Sequence, residues 1–81
     1  MDLLKRIEDS LKEAFPGAII TLQGGMGHIV VKVVWADFEG LRTLARHRKV
    51  LSALSPFLMG ENAEVHAVDK IDAKTPKENI A

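Results

Sequence analysis

No cysteine occurs among the 81 residues, so the chain supplies neither a disulfide staple nor a thiolate to act as metal ligand or nucleophile. Such a composition suits a reducing compartment, and a cytoplasmic location is the expectation. Charge of one prevailing sign is also missing. Eleven basic and eleven acidic residues give a formal net charge of zero, so no whole-molecule field draws the protein to a polyanion. Long apolar runs are absent too, and none approaches the ~20 residues of a membrane span. The opening MDLLKRIEDSLKEAF mixes acids into an amphipathic pattern where an export signal would have a basic start and an apolar stretch. Neither leader, anchor nor membrane partner is expected.

What remains is the balance of an ordinary globular domain, with 47% hydrophobic and 27% charged residues. One domain over residues 1–81 is expected, near the lower size limit for folding on a single core. Leu3, Leu4, Ile7, Leu11 and Ala14 recur at helical spacing between charged residues, and Phe15-Pro16-Gly17 ends that helix. Residues 18–23 and 28–35 read as two strands joined through Gly24-Gly25-Met26-Gly27, a β-hairpin. On the second, Ile29, Val31, Val33 and Trp35 form an apolar face, while His28, Val30, Lys32 and Val34 form a mixed one. After the turn Asp37-Phe38-Glu39-Gly40, residues 41–58 read as a long helix with a core stripe of Leu44, Leu51, Leu54 and Leu58. Pro56 is tolerated there only as a terminal irregularity or a break. Gly60 to Asn62 closes the segment, and residues 63–71 give a third strand whose alternation Asp69 interrupts. Thr75-Pro76-Lys77-Glu78 has the pattern of a capping box, so a last helix of little more than a turn begins there. The order is α-β-β-α-β-α, an α/β (α+β) fold with a three-stranded mixed sheet whose first two strands form the hairpin and whose third returns by a right-handed crossover. Helices cover one face of the sheet.

The crossover makes the second and third strands parallel, so their first residues lie at one edge. His28 and His66 both stand at strand starts. If those strands are neighbours about 4.8 Å apart, two imidazoles leaning off the edge can share an ion about 2 Å from each nitrogen. No third ligand is evident; Asp69 and Glu64 are nearby carboxylates that exposure explains equally well. His47, between Leu44 and Leu51, is expected to point inward as a structural histidine. Arg46 and Lys49, with Arg42 a turn earlier, fall on the opposite, solvated face, and Arg46, Arg48 and Lys49 form a candidate partner-docking surface. Gly24-x-x-Gly27 joins two strands, which is the wrong setting for a backbone-clamping GxxG between helices. It also lacks the Lys-Ser/Thr of a phosphate loop. Ser10, Ser52 and Ser55 sit on helical segments with no activating base in view, so no catalysis is expected.

As a set, several segments carry a family resemblance. Ile7, Leu11 and Phe15-Pro16-Gly17-Ala18, then Phe38-Glu39-Gly40, Arg46-His47-Arg48 with Val50 and Leu54, Val65-His66-Ala67 and Thr75-Pro76-x-Glu78 resemble the BolA family from end to end. One departure is Asn79, where an aromatic residue is common in relatives. The resemblance implies a type II KH-like fold and partnership with a monothiol glutaredoxin of the CGFS type. It further implies a shared [2Fe-2S] cluster, held by the glutaredoxin cysteine, a glutathione thiol, His66 and a hairpin-loop residue matching His28. Histidine in place of thiolate on one iron is a Rieske-like substitution that raises the cluster potential. The free chain is then expected to be a monomer without a cluster, forming a heterodimer with its partner. The alternative the resemblance carries is a DNA-binding transcriptional regulator using the KH-like helix surface, a reading that zero net charge does not favour.

Overall fold

Ile7 and Leu11, one turn apart on the first amphipathic segment, are fully buried and define the side on which the chain assembles. The computed structural model describes residues 3–58 and 63–80. Helix α1 (Leu3–Ala14) leads to β1 (Ile19–Gly25), β2 (His28–Val34), a 3-10 turn at Ala36–Phe38, α2 (Thr43–Leu58), β3 (Ala67–Lys74) and α3 (Pro76–Ile80). This is the expected α-β-β-α-β-α order. The sheet runs β1-β2-β3, antiparallel in the first pair and parallel in the second. Ile29, Val31 and Val33 of β2 pack with Ile7, Leu11, Val50 and Leu54, so both long helices cover one face. Thr21, Gln23, Val30, Lys32, Lys70 and Asp72 line a shallow groove on the sheet. Among the described residues no helix is long and apolar enough to cross a membrane.

At one end of the core, Phe15, Trp35 and Phe38 form an aromatic triangle with centroids 4.9 to 5.7 Å apart and tilted or edge-on rings. The Trp35 indole N–H donates to the Pro16 carbonyl at 2.9 Å, tying the end of α1 to the exit of β2.

Helix α2 departs from the expected stripe. Leu44 and Leu51 are 61% and 40% exposed, and the buried positions are Val50 and Leu54, flanked by Ala53 and Phe57. The apolar face is thus turned away from Leu44 and Leu51 toward Val50, Ala53 and Phe57, while Leu54 and Leu58 of the expected stripe stay in or against the core. Two consequences follow: His47 remains at the edge of the buried face, half-buried, and Arg46, expected on the solvated side, is carried inward. Pro56 lies inside the last turn without ending it. Its missing N–H would have served the Ser52 carbonyl, which instead accepts the Ser55 hydroxyl at 2.8 Å.

The third strand also needs correction. It begins at Ala67 rather than at residue 63 and extends to Lys74 rather than 71. The helix stop expected at Gly60 to Asn62 lies outside the described residues. Pairing runs Ile29↔Val68 and then Val30↔Lys70, so Asp69 is an extra residue, a β-bulge in a parallel ladder. That bulge is why the alternation breaks at Asp69. The capping box forms as expected: the Glu78 amide donates to Thr75 Oγ1 at 3.3 Å, and Glu78 Oε1 accepts the Thr75 amide at 2.8 Å.

Candidate functional site

The parallel pairing places His28 opposite Ala67, with His66 immediately before it, so the two histidines stand at one rim of the sheet. Both are exposed. The rim is held together by backbone: the amides of His66 and Ala67 both donate to the Gly27 carbonyl, at 2.7 and 3.1 Å. Gly27 closes the hairpin with Met26, at φ values of 83° and 53°, the two positive φ angles that a two-residue type I′ loop requires. A side chain at position 27 would collide with Cδ2 of the His66 ring, which lies directly against the glycine backbone. His66 is therefore positioned by the residue that precedes His28, and the GxxG segment is a hairpin closure.

His28 is fixed by a second contact. Its Nδ1 lies 3.1 Å from Oδ1 of Asp69, the bulge residue. Glu64, the other carboxylate considered near this rim, is instead paired with Arg6 of α1. Among the described residues no group of three or more His, Cys, Asp or Glu side chains is placed to hold a metal ion. What the rim offers is two exposed imidazoles on adjacent parallel strands, side chains whose nitrogens are of the donor type that iron accepts.

His47 stands apart from this rim, in a groove with Thr43, Arg46, Ile71, Asp72 and Glu78. Arg46 beside it is a buttress rather than a solvated cation. Its side chain is only 12% exposed; Nε donates to the Leu41 carbonyl at 2.8 Å, and Nη1 donates to the Ala73 carbonyl at 3.1 Å and to Glu78 Oε1 at 2.6 Å. The guanidinium also lies 5.7 Å from the centre of the Phe38 ring. Hydrogen bonds from Arg46 and then from the Thr75 amide lower the Glu78 pKa to about 2. Of the basic cluster, Arg42, Arg48 and Lys49 remain exposed. Sequence reasoning missed the Asp69 contact, for which the interrupted alternation was the available signal, and it missed the structural work of Arg46, whose signal was Val50 competing with Leu51 for the core.

A protein-family model described as BolA-like protein matches residues 3–78, and the chain belongs to the BolA family. An uncharacterized protein from the rpoN-murA intergenic region of Acinetobacter guillouiae is 34% identical over 74 residues, covering 91% of this chain and 86% of that one. Protein BOLA2 of Arabidopsis thaliana is 41% identical over 61 residues, covering 74% of this chain and 61% of that protein. Among solved structures, BolA1 from Arabidopsis thaliana superposes with a TM-score of 0.82 at 26% identity, covering 96% of each chain. The solution structure of BolA1 from Mus musculus gives a TM-score of 0.72 at 37% identity, covering 95% of this chain and 70% of that one.

Proposed function

We propose that this protein is a non-catalytic, BolA-type adaptor that binds a monothiol glutaredoxin of the CGFS type and shares a [2Fe-2S] cluster with it and glutathione, serving iron–sulfur trafficking or iron and redox regulation. The observation that carries this reading is the single rim on which His28 and His66 present their imidazoles. The donor set is consistent with it: two histidine nitrogens suit one iron, and a cysteine-free chain must take the thiolates from its partner and glutathione. Such a cluster supplies an electron-transfer centre of raised potential. This chain's part is to offer two imidazole nitrogen donors at one rim and a docking surface, to which exposed Arg48 and Lys49 contribute.

Mixing the protein with a monothiol glutaredoxin and glutathione under anaerobic, reducing conditions tests it. Visible absorption and circular dichroism should show a cluster spectrum distinct from that of the glutaredoxin alone. His66→Ala should abolish the new spectrum and His28→Ala should weaken it. An unchanged spectrum with the wild-type protein overturns the reading. So does tight, sequence-selective duplex DNA binding, lost on Arg48→Ala with Lys49→Ala but untouched by His66→Ala.

A further inference from the structure

We infer that Asp69 is a positioning residue for His28: the bulge exists to bring a carboxylate to Nδ1, fixing the ring as the Nδ1–H tautomer and leaving Nε2 bare and outward as the donor atom. The ladder shows that packing does not require Asp69. Ala67 pairs with His28 and Val68 with Ile29; then Lys70, skipping Asp69, pairs with Val30, and Ile71 with Val31. Val68, Ile71 and Ala73 reach the core, while the partners of Ala67 and Lys70 lie on the opposite side of β2. Inside and outside already alternate correctly if Asp69 is left out of the count. A bulge in a parallel pair disrupts the ladder locally, and here the extra residue buries nothing, being exposed.

The extra residue does gain a contact. Asp69 Oδ1 sits 3.1 Å from His28 Nδ1 across the strand pair. A carboxylate can only accept, so the bond requires the proton on Nδ1 and a lone pair on Nε2 when the ring is neutral. Carboxylate–histidine pairs of this kind orient metal-binding imidazoles and raise their basicity. His66 has no such partner among the described residues and is positioned instead by the Gly27 backbone. The two rings are thus oriented by different means, one by a hydrogen bond and the other by packing.

The role toward iron rests on the adaptor reading, whereas the tautomer does not, so the two are tested separately. Proton–nitrogen correlation spectra of the imidazoles of the full chain, recorded near pH 8 where an ordinary histidine is neutral, report which ring nitrogen carries the proton. Wild-type His28 should show a protonated Nδ1 and a bare Nε2. Asp69→Ala and deletion of Asp69 should shift it toward the Nε2–H form, with the deletion retaining the urea midpoint of the wild type. Asp69→Asn, whose side-chain carbonyl still accepts, should keep the Nδ1–H form. A wild-type His28 protonated on Nε2, or a tautomer unmoved by Asp69→Ala, overturns the inference.

With the glutaredoxin and glutathione present, Asp69→Ala should weaken cluster assembly by about tenfold or more and Asp69→Asn should restore much of it. Equal assembly by Asp69→Ala overturns the positioning role. Failure of the wild-type protein to form any cluster overturns the adaptor reading and Asp69's role toward iron, while the tautomer result stands on its own.

Discussion

Met26 holds φ at 53°, a value an L-residue with a Cβ adopts at some cost and one at which asparagine is several-fold enriched. Because its side chain is 98% exposed and packs on nothing, Met26→Asn should raise stability by about 0.5–1 kcal/mol, read as a higher urea midpoint at unchanged slope. Gly27 is the opposite case. Its φ of 83° and the His66 ring against it mean that Gly27→Ala should cost about 1–2 kcal/mol and displace the ring. Cluster assembly with the glutaredoxin should fall with it. Gly25→Ala is the control, since a Cβ there meets nothing within 4 Å, and it should leave both stability and assembly close to wild type. The Ser55 hydroxyl, which serves the carbonyl that Pro56 cannot, should cost about 1 kcal/mol when removed in Ser55→Ala.

Helix α3 has no buried residue and only five in all, so it is held by its ends. Arg46 joins α2, the end of β3 and α3 through one guanidinium, and Arg46→Ala should destabilise by about 2–3 kcal/mol. Arg46→Lys should rescue little, because one ammonium cannot reproduce that fork. Glu78 has its pKa held near 2, below the ordinary 4.5, so its stabilising effect is complete above about pH 4.5 and disappears as pH falls toward 2. Acid titration of stability should therefore flatten in that window for Glu78→Gln. The capping box, the hairpin and the helix–strand order were legible because each is a local pattern: Thr75 and Glu78 are three residues apart, and glycines crowd the loop before His28. The rotation of α2 was not. Leucine count favoured Leu44 and Leu51 beside Leu54, while the tertiary fit kept Leu54 and took Val50 in place of the other two, and with it the burial of Arg46. The start of β3 was misplaced for a related reason: Val65 is buried, but beside the strand rather than in it, donating its amide to the Phe57 carbonyl at the end of α2. Of the rim, the placement of both histidines could be read from strand order; the broken alternation at Asp69 marks the bulge but not the partner it reaches, and the Gly27 contact depends on a ring position that no periodicity encodes.

A domain of this size has about 4–12 kcal/mol of net stability, and among the described residues its core cluster holds ten buried side chains. Leu54, fully buried where α2 meets α1 and the sheet, should cost about 2–5 kcal/mol on truncation in Leu54→Ala, enough to leave much of the protein unfolded at physiological temperature. Circular dichroism melts would show it. The order of the strands also bears on how the rim arises in time. The β1–β2 hairpin closes through two residues, whereas β3 can join β2 only after the chain has traversed the whole of α2, a closure that local contacts do not assist. Before that late docking, positions 28 and 66 belong to separate parts of a collapsing chain. A ribosome-bound or partly melted molecule consequently presents its two imidazoles singly, and the shared rim that the proposed adaptor role requires exists only once β3 has docked.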